Sequence, residues 1–86
     1  MNIYVGNLDF KVNENDLTEA FEEYGKVDSA KIITDKSNGR SKGFGFVIME
    51  DQADASKAIR ELNGSVLENR KMVVNEAQPR KDNFNN

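Results

Sequence analysis

Two segments of this chain carry apolar residues at one helical spacing, and they restrict its fold more than any other feature. Leu17, Ala20, Phe21 and Tyr24 recur at i, i+3, i+4 and i+7, and so do Ala55, Ala58, Ile59 and Leu62. At 3.6 residues per turn each set lines one helix face, so each helix must lay a single stripe against another surface. Asn13 is placed to cap the first helix, with acidic residues in its first turn, and Asp51 to cap the second. Gly25 and Asn63-Gly64 read as their C-terminal stops. The segments around the helices are β-rich. Residues 2–6, 27–34, 43–50 and 71–76 read as strands, and the polar stretch 35–42, centred on Asn38-Gly39, reads as a hairpin loop.

The expected order is therefore βαββαβ. Right-handed crossovers place both helices on one side of a four-stranded antiparallel sheet, an α+β sandwich whose other side has no helix to cover it. With 86 residues the chain is expected to form one domain, over residues 1–78. The polar stretch PRKDNFNN, 79–86, is expected to be a flexible tail, because it has too little apolar surface to pay for ordering.

Which side of the third strand is covered decides what the open side can do. In KGFGFVIM, 42–49, one face carries Phe44, Phe46 and Ile48, and the other Gly43, Gly45, Val47 and Met49. Alternation alone leaves both registers open, and a one-residue slip inverts every side chain. The rest of the chain favours one of them. The helices supply the eight stripe residues, and the strands can add Ile3, Val5, Val27, Ala30, Ile32, Val47, Met49, Met72 and Val74, a full core without either phenylalanine. Gly45 on the covered side would let a helix approach closely. Ile3 and Val5 share a face, with Tyr4 opposite, so neighbouring first and third strands would bring Tyr4, Phe44 and Phe46 together on the open side.

Charge is segregated along the chain. The net charge is −3, which argues against indiscriminate phosphate binding. Residues 14–23 hold Glu14, Asp16, Glu19, Glu22 and Glu23 and no base. Residues 31–42 hold Lys31, Lys36, Arg40 and Lys42 against Asp35, and residues 70–81 hold Arg70, Lys71, Arg80 and Lys81 against Glu76. Neither cysteine nor histidine occurs, which excludes disulfides, the usual zinc ligand sets and histidine-based acid–base chemistry. The stretch MNIYVGNLDF has no basic segment and no apolar run of secretory length, and no run approaches the roughly 20 apolar residues of a membrane span, so neither a signal nor a span is expected. These features fit a reducing, cytoplasmic setting, with no cofactor and no membrane partner.

At these residues the chain resembles the RNA recognition motif family. Its octamer, [KR]-G-[FY]-[GA]-F-V-x-[FY], is matched by Lys42-Gly43-Phe44-Gly45-Phe46-Val47-Ile48-Met49 at all but the last position, where Met49 replaces an aromatic on the core side. Ile3-Tyr4-Val5-Gly6-Asn7-Leu8 looks like the family's hexamer. The resemblance covers residues 2–77. It implies a ferredoxin-like fold with the two motif strands adjacent at the centre of the sheet, and a single-stranded RNA partner on the open face. By position, Tyr4 and Phe44 should stack on bases, Phe46 should lie against sugars or between neighbouring nucleotides, and Lys42 should reach a phosphate. The short chain is similar to the small single-domain RNA-binding proteins of bacteria, expected to act as a monomer.

With Met72 and Val74 covered, Val73, Asn75 and Ala77 fall on the open face, where Asn75, and Gln78 just beyond, could read base edges. Arg40, Lys36, Arg80 and Lys81 could add phosphate contacts. Three other readings stand beside this one. A protein-binding relative of the fold would fit the acidic first helix, but usually has degraded aromatics and an Arg-x-Phe before the last strand, where this chain has Arg70-Lys71-Met72. An enzyme on the same fold lacks a catalytic constellation. Single-stranded DNA offers the same base faces for stacking.

Overall fold

The computed structural model describes residues 1–39 and 41–77, with the backbone alone at Ser41 and Lys42. Its elements are β1 (Asn2–Gly6), α1 (Glu14–Glu22), β2 (Ser29–Thr34), β3 (Ser41–Ile48), α2 (Gln52–Leu62), β4 (Val66–Leu67), β5 (Arg70–Lys71) and β6 (Val73–Glu76). The main sheet has the order β2-β3-β1-β6, every neighbour antiparallel. Each helical connection thus crosses one strand, and the two strands bearing the sequence motifs lie side by side at the centre. This is the expected ferredoxin-like α+β arrangement.

Both helices begin as their sequences dictate. The Asn13 side chain accepts from the Asp16 backbone N–H at 2.8 Å and the Asp16 carboxylate accepts from the Asn13 N–H at 3.2 Å, a reciprocal capping box. Asp51 accepts from the Asp54 N–H at 3.0 Å. The end of α1 differs from expectation. Glu23 is its C-cap, and Gly25 is absent from the glycines with positive φ. A Cβ at Gly25 would lie 2.6 Å from Cβ of Asp54, so its smallness serves the approach of α2.

The covered side of the sheet is the core. Ile3, Val5, Val47, Met49 and Val74 are fully buried against Leu17, Phe21, Ala55 and Ala58. The remaining expected core residues are buried or half-buried around them, and Leu8 and Val12, in the β1–α1 connection, join them. Gly45 is explained by a strand, not a helix. It pairs with Ile32, and a Cβ there would run into the Lys31 carbonyl and stand 3.2 Å from Ile32 Cα. The β2–β3 register shifts between Ile32 and Thr34, and Glu14 of α1 accepts the Ile32 N–H at 3.1 Å. The bulge is thus stabilised from the helix layer, with no orphaned donor at Ile32.

The last strand is shorter than the expected 71–76. Arg70–Lys71 leaves the main sheet to pair with Val66–Leu67, and the sheet resumes at Val73. The outer edge of β6 is closed by the α2 terminus, where Asn63 accepts the Val74 N–H at 3.0 Å and Gly64 and Ser65 bond to Met72.

Candidate nucleic-acid interface

The uncovered side of the sheet presents a row of side chains across all four strands. Lys31 pairs with Phe46, Phe46 with Tyr4, and Tyr4 with Asn75. Cross-strand partners share a face, so the four residues stand together on the side away from the helices. Phe44 lies two residues before Phe46 on the same face.

The three aromatics form one cluster. Ring centroids are 6.1 Å apart for Tyr4 and Phe44, 5.9 Å for Tyr4 and Phe46, and 6.3 Å for Phe44 and Phe46. The Tyr4 and Phe44 planes are tilted by 32°, while Phe46 meets both edge-on at 64° and 89°. In such tilted and edge-on arrangements each ring supports its neighbours, while Tyr4 and Phe44 stay half-exposed and Phe46 exposed. Gly6 helps to set the cluster. A Cβ there would sit 2.8 Å from Tyr4 Cζ, so the Tyr4 ring lies along its own strand over the space a side chain would fill. Phe46 is 37% exposed, Ile48 two residues along the strand 39%, and Val73, opposite Gly6 on β6, 43%.

Four of the candidate residues, Tyr4, Phe44, Phe46 and Asn75, are thus brought onto one surface. Arg40, Gln78 and Arg80 lie outside the described residues, as do the side chain of Lys42 and the expected tail. Lys36 is exposed in the β2–β3 turn. Three residues were missed. Lys31 could have been placed, since Ala30 and Ile32 on the covered side force it to the open one. Phe10, 74% exposed, and Arg70 flank the Tyr4–Phe44 end of the cluster, and only the tertiary fold brings them there.

Electrostatics sort by side. The acidic residues of α1 lie in the helix layer against β2, behind the sheet. On the open side stand Lys31 and Arg70, and the ion pair found among the described residues, Arg60–Glu61, involves neither.

The chain shares this architecture with known proteins. The model of the RNA recognition motif family matches residues 3–73. A Nostoc sp. protein named "Putative RNA-binding protein RbpE" is 46% identical over 82 residues, 95% of this chain and 83% of that one. The crystal structure of RNA Binding Protein PG1 superposes with a TM-score of 0.89 at 54% identity, covering 95% of this chain and 99% of that one. The structure of the Rna15 RRM with bound RNA (GU) superposes with a TM-score of 0.81 at 27% identity, covering 91% and 83% of the two chains. With the motif strands central, the helices on one side and the family model spanning nearly the whole described fold, the chain belongs to the RNA recognition motif family.

Proposed function

We propose that this protein binds short single-stranded RNA on the open face of its sheet. The observation that carries this reading is the cluster of Tyr4, Phe44 and Phe46, three rings within 6.3 Å of one another on the face opposite the two described helices. Unpaired bases expose π-faces, and an aromatic that stacks on one contributes about 1–3 kcal/mol by alanine substitution. Tyr4 and Phe44 serve as stacking platforms, and Phe46 lies against sugars between them. Asn75, beside Tyr4, offers an amide to a base edge, a role Gln78 shares. Lys42, Arg40 and Arg80, with Lys31 at the end of the row, contact phosphates. Two or three neutralised phosphates give a log–log salt slope of roughly −1.5 to −2 at about −0.7 per phosphate. The acidic helix behind the sheet keeps its charge away from the strand. The protein acts as a cytoplasmic monomer without a cofactor or catalytic role. Discrimination against DNA depends on contacts to the 2′-hydroxyl.

Amide NMR during titration with randomised short RNA and matched DNA pools tests this. RNA should shift Tyr4, Phe44, Phe46 and β6, and more strongly than DNA. Shifts confined to α1, with the open face silent, would overturn the reading.

A further inference from the structure

Beyond the aromatic cluster the open face continues into a cleft. Its volume is about 370 Å³, and it is lined by Tyr4 and Phe44 of the cluster together with Asn7, Phe10 and Arg70. That volume falls in the ~300–1,000 Å³ range of small-ligand sites.

Phe10 stands apart from the core. Its neighbours at two residues' distance, Leu8 and Val12, are 3% exposed and belong to the core, whereas Phe10 is 74% exposed. The turn that carries it is ordered, since Asp9 accepts the Lys11 N–H on its carboxylate at 2.9 Å and the Val12 N–H on its carbonyl at 3.0 Å. A large ring held out by a fixed turn is preorganised for contact.

Arg70 is held as well. Its Nη2 donates to Asn7 Oδ1 at 2.7 Å, and Asn7 Nδ2 donates to the Lys71 carbonyl at 2.6 Å. Both bonds together fix the orientation of the Asn7 amide. Asn7 adopts φ 57°, a left-handed conformation that asparagine tolerates better than most residues. The bond to Asn7 uses one of the five guanidinium donors, and the planar fork suits a phosphate. Among the described residues no carboxylate lines this cleft. Phe10 also borders a second cleft, toward Ile32 and Thr34, but that one is lined by Glu14 and, among the described residues, by no cation.

We propose that the cleft between Phe10 and Arg70 takes one further nucleotide of the strand bound on the sheet, its base against the Phe10 ring and its phosphate on the Arg70 guanidinium. This rests on the RNA reading above and extends it past the two motifs. Asn7 is a positioning residue that holds the guanidinium over the cleft.

The test measures affinity for randomised RNA pools of increasing length, at several salt concentrations, for the wild type and for Phe10→Ala, Phe10→Trp, Arg70→Gln and Phe44→Ala. Thermal melts confirm that each variant folds, as the exposure of Phe10 and Arg70 leads us to expect. Phe10→Ala should match the wild type on the shortest pools that bind and lose about five- to tenfold on longer ones. Phe10→Trp should retain the gain with length. Arg70→Gln should flatten the salt slope by about 0.7 on the longer pools only. If Phe10→Ala and Arg70→Gln match the wild type at every length while Phe44→Ala weakens binding, the cleft proposal is overturned and the sheet-face reading survives. A uniform loss at all lengths would also overturn it. Failure of the wild type to bind any pool would remove both.

Discussion

The two sides of one sheet use the same strands for opposite ends. On the covered side β1, β3 and β6 place Ile3, Val5, Val47 and Val74, aliphatics of moderate size, all fully buried. On the open side the same strands place Tyr4, Phe44, Phe46 and Val73, and the rings stay partly in water. Burying a phenylalanine side chain is worth about 1.5–3 kcal/mol, so a sheet arranged for stability alone would have its rings inside. That the larger side chains are outside separates the two roles. The covered face stabilises the fold, and the open face is available to a partner.

The largest expected contrast comes from truncating one ring on each side. Phe21→Ala, in the core, should lose about 3–5 kcal/mol in urea unfolding. Phe46→Ala should lose only about 1 kcal/mol, the edge-on contacts it makes with Tyr4 and Phe44. Equal losses would erase the distinction between the faces.

Two glycines sharpen the comparison. Gly45 faces the backbone of β2, which cannot yield cheaply, so Gly45→Ala should destabilise by about 1–3 kcal/mol. Gly6 faces the Tyr4 ring, which can swing away. Gly6→Ala should leave the melting temperature nearly unchanged and weaken RNA binding by part of the roughly 1–3 kcal/mol of one stacked base. Between these in stability effect lies Glu14→Ala. It removes the acceptor for the Ile32 N–H and should cost about 1 kcal/mol with no change in RNA affinity, checked by parallel melts and titrations.

Much of this division was legible in the sequence. The helix stripes and strand alternation gave the element order, and counting the core without Phe44 and Phe46 selected the covered face. What escaped depends on contacts between distant residues. The β4–β5 hairpin has strands of two residues, too short for alternation to register, and its tip is Glu68-Asn69 with Glu68 itself at φ 60° in place of an Asn-Gly signal. Gly25 looked like a helix cap because of its position, but its reason is Asp54 on the other helix. The Arg70–Asn7 bond spans 63 residues and has no local signature. Lys31 was within reach of the pattern, since its neighbours on the strand face the core.

One measurement bears on the division most directly: the unfolding free energy and the RNA affinity of Phe44→Ala, taken on the same preparation. The account predicts a folded protein within about 1 kcal/mol of the wild type and an affinity lower by about 1–3 kcal/mol. A variant that unfolds as a core truncation does, or one that folds and binds RNA as tightly as the wild type, would contradict it.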